Sequence, residues 1–267
     1  MKKLYLGIGV NKYQGSPLRG CVNDIEDLFT LLVRQYGFKA GDDMRVLCDE
    51  RATREAIMTR MDWLVDRADQ DDIVVFQYSG HGSQMAARDD VGEIDGLDEI
   101  LLPYDYYLNW DTYTIRDNEL FIFAQKLFDK GAIPVFVIDA CHSGTATRDI
   151  KVSSTSSAVV GRFMGAPFDI RSRAFGPVDL RAGLRVDEEL AILVSGCQDT
   201  QTSADAYIDG RFNGAMTRGL IDILEQNPVL NWEDLKRKLP ASLDEKGFEQ
   251  RPVISGRQDL LSRKIFA

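Results

Sequence analysis

Residues 133–144 read Ile-Pro-Val-Phe-Val-Ile-Asp-Ala-Cys-His-Ser-Gly: an apolar run, an aspartate at its end, then a cysteine in a glycine-bearing turn. An apolar run of this length without polar alternation is the pattern of a strand buried on both faces. Residues 73–82 repeat the design as Ile-Val-Val-Phe-Gln-Tyr-Ser-Gly-His-Gly. The chain holds two histidines, His81 and His142, and each stands just past one of these runs.

Outward from these two strands, apolar runs alternate with helical patterns. Residues 4–10 and 44–48 read as strands, with an apolar helix face between them carrying Cys21, Ile25, Leu28, Leu31, Leu32 and Tyr36. Thr53 caps a second helix with Ile57, Met61, Leu64, Val65 and Ala68 inward, and Asp117 caps a third bearing Leu120, Phe123, Ala124, Leu127 and Phe128. Residues 190–195 supply a fifth strand, residues 212–224 and 232–239 two helices, and residues 253–254 a last short strand. Val/Ile-rich runs separated by helices indicate an α/β fold with a mostly parallel central sheet and helices on both faces. Ligands bind such sheets beyond the carboxyl ends of the strands, where both motifs fall.

Composition narrows the classes. The 267 residues, 44% of them hydrophobic, suffice for one large domain or two smaller ones and exclude wholesale disorder. Forty-two acidic residues against 32 basic ones give a net charge of -10, which disfavours nucleic acid and anionic lipid as partners and favours cationic substrates. Cys21, Cys48, Cys141 and Cys197 form no CxxC pair, so neither a zinc site nor a disulfide framework is suggested, and a reducing cytoplasm fits. No apolar run reaches membrane-spanning length, and no signal-peptide pattern opens the chain. A soluble cytoplasmic protein is the expectation.

The two motifs carry a definite chemistry. Cysteine attacks a peptide carbonyl as thiolate, so an imidazole must take its proton and later protonate the leaving amine. His81 is the candidate base and Cys141 the candidate nucleophile; His142 follows Cys141 directly and is given a packing or turn role. The N–H groups of Gly82 and Cys141 are the candidate donors to the tetrahedral oxyanion. A buried cysteine is more often a small hydrophobe, and a single histidine often only hydrogen-bonded structure. Here both coincide with strand ends and glycines.

Residues 78–84 (Tyr-Ser-Gly-His-Gly-Ser-Gln), 139–144 (Asp-Ala-Cys-His-Ser-Gly), 195–205 (Ser-Gly-Cys-Gln-Asp-Thr-Gln-Thr-Ser-Ala-Asp) and 18–24 (Leu-Arg-Gly-Cys-Val-Asn-Asp) together resemble the motifs of the metacaspases and orthocaspases, caspase-like cysteine peptidases. The resemblance implies a caspase-like fold and endopeptidase activity. It divides a single domain into a large-subunit-like region at 1–147, a flexible basic linker at 148–188 and a small-subunit-like region at 189–267. It also implies an acidic pocket for the residue before the cleaved bond, its members mapping onto Cys21, Asp24, Ser79 and Asp139. Two carboxylates beside the nucleophile suit Arg first and Lys second, and repel an acidic side chain. An acid in the first turn of a helix, like Asp24, is stabilised by the helix dipole whatever its function; Asp139, ending an apolar strand, must be paired, solvated or catalytic.

No cofactor is needed for this chemistry, but many metacaspases require calcium. Their ligand positions map here onto Asp98, Asp117, Asn118 and, displaced by one residue, Asp149. An acidic stretch from Asp89 to Asp105 without Lys or Arg suits a hard cation, and suits a solvated hairpin equally. Arginines between Arg148 and Arg185 suggest self-processing there by an Arg-specific enzyme. By resemblance the protein is a monomer acting on protein or peptide substrates. The alternative classes are a catalytically silent caspase-like scaffold, a nucleotide-binding protein prompted by Gly7-Ile8-Gly9, which lacks the third glycine and the lysine, and a metal hydrolase, for which two histidines are few.

Overall fold

The structure, a computed structural model, describes residues 1–87, 97–142, 159–167, 170, 187, 189–196 and 203–267. Along the chain, β1 (Lys3–Gly9) leads through α1 (Cys21–Gln35) to β2 (Met44–Cys48), and α2 (Arg54–Arg67) leads to β3 (Ile73–Ser79). Then come β4 (Gly82–Ala86), β5 (Leu97–Leu101), the single turn α3 (Trp110–Tyr113), β6 (Ile115–Arg116), α4 (Asp117–Asp129) and β7 (Ile133–Asp139). The remainder holds β8 (Val160–Gly161), β9 (Ile192–Ser195), β10 (Ala204–Ile208), β11 (Arg211–Gly214), α5 (Ala215–Gln226), α6 (Trp232–Glu245), β12 (Val253–Ser255) and α7 (Gln258–Leu261).

Among the described residues, six strands form one sheet in the order β12-β9-β7-β3-β1-β2, parallel except where β12 runs antiparallel to β9. Alternate side chains enter opposite cores, as the two-residue strand period requires. Leu4, Leu6, Phe76, Phe136 and Ile138 pack with Ile57, Met61 and Leu64 of α2 and Leu120 and Phe123 of α4. On the other face Tyr5, Val75, Val135 and Val137 pack with Leu28 and Leu32 of α1, Met216 and Leu220 of α5, and Trp232 and Leu235 of α6. The α/β fold with helices on both faces is therefore as the periodicity indicates. Gly9, which prompted the nucleotide reading, instead lets α1 approach the sheet, because a Cβ there would strike the Cys21 carbonyl and Ile25.

Two local expectations are corrected. Asp117 is not the cap of α4 but its first residue; Arg116 precedes it, and the Arg116 N–H donates to Glu119 Oε2 at 3.1 Å. Glu119 reaching back does the capping instead. The helix expected from residue 212 starts at Ala215, because Phe212 belongs to the β10–β11 hairpin. Its turn, Asp209-Gly210, has positive φ at both residues, the two-residue hairpin geometry that Asp-Gly favours. Two small antiparallel sheets, β4-β5-β6 and β11-β10-β8, flank the main one.

Candidate active site

Ser79 pairs with Asp139 at the ends of adjacent parallel strands β3 and β7. His81 and Cys141 each lie two residues beyond that pair, so the register alone delivers both motifs to one edge of the sheet. Both side chains are buried. His81 Nε2 lies 2.8 Å from the Ser16 carbonyl. A carbonyl only accepts, so in the neutral ring Nε2 carries the proton and Nδ1 bears the lone pair. Nδ1 is buried without a hydrogen-bond partner, and burial pulls the imidazole pKa down to about 4 against the opposing pull of the Ser16 and Arg162 carbonyls.

Two tyrosines hold this histidine. The Tyr13 ring lies 4.6 Å from the imidazole, its hydroxyl accepts the His81 N–H at 3.0 Å, and the Tyr78 hydroxyl donates to the His81 carbonyl at 2.8 Å. Cys141 Sγ accepts the Ser203 N–H. His142 is buried beside the Ser83 and Ile100 backbone, and burial lowers its pKa to about 4.

The site is filled by the chain itself. The carbonyl of Arg162 accepts from Gly82 N at 3.0 Å and from Cys141 N at 3.2 Å, so both candidate oxyanion donors aim at one carbonyl oxygen. Gly82 must be glycine for this approach, since a Cβ would collide with the Cys141 carbonyl and crowd His142. The Arg162 side chain is fully buried. Its Nη2 lies 2.7 Å from Asp24 Oδ2 and 3.0 Å from Asp205 Oδ1, and its Nη1 lies 3.3 Å from Asp139 Oδ1 and 3.1 Å from the Asp139 carbonyl. Burial works against the guanidinium charge, and Asp139, Cys21, Asp24 and Asp205 outweigh it, leaving the arginine protonated.

The acidic cup is wired independently of its guest. Asp24 accepts from Gly214 N at 2.9 Å and Asn213 Nδ2 at 3.1 Å. Asp139 Oδ2 accepts from the N–H and hydroxyl of Thr217 at 3.0 and 2.7 Å, and Oδ1 from the Ser203 hydroxyl. Asp205 accepts from Arg19 N at 2.8 Å and Gly20 N at 2.9 Å. These donors orient the carboxylates toward the guanidinium. Burial still pushes Asp24 up to about 6, with Arg162 pulling the other way. Gly214 leaves the room: a Cβ there would strike Asp139 and the guanidinium.

Of the four pocket positions expected from sequence, Asp24 and Asp139 touch the arginine. Burial pushes the Cys21 thiol pKa up, with Arg162 opposing and Asp205, Asp24 and Asp139 adding to the rise. Ser79 Oγ is buried without a hydrogen-bond partner. Asp205 ends the 195–205 motif, and its pairing with Gly214 in the β10–β11 hairpin brings it to the pocket as a third carboxylate. Ser203 lies in the same motif, whereas Tyr13, Ser16 and Thr217 carry no local signal, because their contacts join elements far apart in sequence.

Of the residues expected to hold calcium, the described ones have partners of their own or face solvent. Asp98 is buried against the Arg116 guanidinium, which also reaches Asp111 at 2.7 Å. Asp117 Oδ1 takes the Asn118 N–H at 2.8 Å, Asn118 is exposed, and Asp149 lies outside the described residues. No cluster of three or more His, Cys, Asp or Glu that could hold a metal occurs among the described residues. With an internal cation at Asp98, the described members of this set do not fit a calcium ion. The basic stretch 148–188 lies largely outside the described residues; within its described part, residues 160–164 run through the site.

The chain matches a family model described as the caspase domain over residues 2–261. It is 32% identical to Metacaspase-1 of Mycosarcoma maydis and 30% identical to Metacaspase-1 of Schizosaccharomyces pombe, each over 95% of this chain. It spans 70% and 66% of their respective lengths. In fold it is similar to the crystal structure of a Geobacter sulfurreducens protein, with TM-score 0.68, 24% identity and coverage of 100% of this chain and 99% of that one. It is also similar to Caspase-1 from Spodoptera frugiperda, with TM-score 0.60, 13% identity and coverage of 100% and 92%. No helix among the described residues is long and apolar enough to cross a membrane.

Proposed function

The chain belongs to the caspase-domain family, as a metacaspase-related cysteine peptidase, and from that membership we propose that it is an endopeptidase cutting after arginine, and less well after lysine, with Cys141 as nucleophile and His81 as base. One observation carries this reading: a buried arginine whose guanidinium sits among Asp24, Asp139 and Asp205 while its carbonyl takes the N–H groups of Gly82 and Cys141. A substrate arginine placed likewise offers its carbonyl to Cys141.

The steps proposed are those of a thiol peptidase. His81 Nδ1 takes the thiol proton as Sγ bonds to the carbonyl carbon, and the Gly82 and Cys141 N–H groups meet the negative oxygen. Nδ1 then protonates the leaving amine, and a water molecule hydrolyses the thioester and restores the thiol. Three carboxylates around two nitrogens favour the planar guanidinium fork over the single ammonium of lysine, and repel aspartate. The same preference supports self-processing between Arg148 and Arg185. The silent-scaffold alternative is weaker, since the N–H groups of Gly82 and Cys141 both aim at one arginyl carbonyl.

Peptides differing only at the residue before the cleaved bond test this. The expected order is Arg, then Lys, with Asp not cut, and Cys141→Ala and His81→Ala are expected to lose turnover by a thousandfold or more. Equal turnover of Arg and Asp peptides, or full activity of Cys141→Ala, rejects the reading.

A further inference from the structure

His81 stands in a gap: β3 ends at Ser79 and β4 begins at Gly82, so its peptide groups lie outside both strands. Buried N–H and C=O groups must be paired, and here two phenols pair them. The His81 N–H goes to the Tyr13 hydroxyl at 3.0 Å, and the His81 carbonyl takes the Tyr78 hydroxyl at 2.8 Å and the Leu102 N–H at 3.1 Å. The two hydroxyl oxygens lie 3.0 Å apart, and each lies 2.8 Å from the Leu102 carbonyl. Burial pushes both phenol pKa values up, so each keeps its proton to donate. With the Tyr78 proton on the His81 carbonyl, the Tyr13 proton goes to the Leu102 carbonyl.

Gly80 belongs to the same arrangement. A Cβ at that position would strike the Tyr13 and Tyr78 hydroxyls, so the glycine before His81 is the residue that admits the pair. Nδ1, the nitrogen that takes the thiol proton, has no hydrogen-bond partner among the described residues and cannot hold itself in place. The hold on the ring comes from the Ser16 carbonyl at Nε2, from the Tyr13 ring 4.6 Å away, and from the peptide that the two hydroxyls secure. We propose that Tyr13 and Tyr78 are positioning residues for the reaction: their paired hydroxyls fix the His81 peptide, and through it the place from which Nδ1 takes the thiol proton. The proposal rests on the reading of His81 as base. Neither hydroxyl exchanges a proton with the substrate, so their loss leaves the chemical steps the same and disturbs only their geometry. Misplacing a reacting group by about 1 Å costs on the order of a hundredfold in rate.

Phenylalanine at either position keeps the ring and removes only the hydroxyl. On an Arg peptide, Tyr13→Phe and Tyr78→Phe are each expected to lower kcat roughly ten- to hundredfold with KM little changed, since the arginine cup is untouched. Thr114→Val is the matched control. It removes another buried hydroxyl, one that donates to the Trp110 carbonyl at 2.8 Å between α3 and β6, and is expected to cost stability but not kcat. Full kcat in both Phe variants, or an equal loss in Thr114→Val, overturns the proposal and leaves the peptidase reading standing. A second measurement holds even if neither Phe variant folds. In Cys141→Ala the His81 amide proton is expected to exchange as slowly as those of β3, and exchange at the rate of an exposed loop overturns the proposal. No turnover of the Arg peptide by wild type overturns the reading and the proposal together.

Discussion

At the scale of single residues, Asp24 controls how the site responds to pH. It is buried, faces Arg162, Asp139, Asp205 and Cys21, and has its pKa raised to about 6. A carboxylate raised in this way is charged above that value and neutral below it. KM for an Arg peptide is therefore expected to rise as pH falls through about 6, and Asp24→Asn, with one charged hydrogen bond gone, to raise KM at pH 7.5 roughly ten- to hundredfold and flatten that dependence. A KM that stays pH-dependent in Asp24→Asn assigns the titration to another group. His142 acts on stability instead. Its folded pKa of about 4 lies below the ordinary 6.5, so the unfolded chain takes the proton first. Stability falls as pH drops below 6.5 and the loss levels off near 4, at roughly 3 kcal/mol for this group. Urea unfolding of Cys141→Ala with and without His142→Leu, at pH 7 and pH 4.5, is expected to show a smaller acid loss in the double variant. Equal losses contradict the assignment.

At the scale of elements, the site is made by the ends of β3 and β7 and by the first turn of α5. The two strands were legible because unbroken Val/Ile runs need no partner to be recognised, and their motifs followed at fixed spacing. The β10–β11 hairpin was not read, although Asp209-Gly210 marks its turn, and with it went Asp205, the third carboxylate. Short strands such as β8 and β6 gain their identity from pairing with distant residues, which no local pattern carries. The cup also depends on Gly214 at the entry to α5, where any side chain would press on Asp139. Gly214→Ala is expected to raise KM for Arg peptides roughly ten- to hundredfold, with a smaller change in kcat. A kcat loss with unchanged KM places the effect on the dyad instead.

At the scale of the whole molecule, a parallel sheet holds the motifs in register while long-range contacts bring α1, β7, β10 and α5 around one guanidinium. The net charge of -10 read from composition agrees with a cup that gathers cations. Arg116 already neutralises Asp98, so turnover in EDTA is expected to match that with added calcium. Activity lost in EDTA and restored by calcium contradicts this. The central claim is that Cys141 and the acidic cup serve one arginyl carbonyl. Peptide mapping after treating the processed enzyme with a peptidyl-Arg chloromethyl ketone tests it most directly. The predicted result is one adduct, on Cys141, lost with an Asp ketone and slowed in Asp24→Asn; an adduct on Cys21 or Cys48, or labelling indifferent to the arginine, contradicts the account.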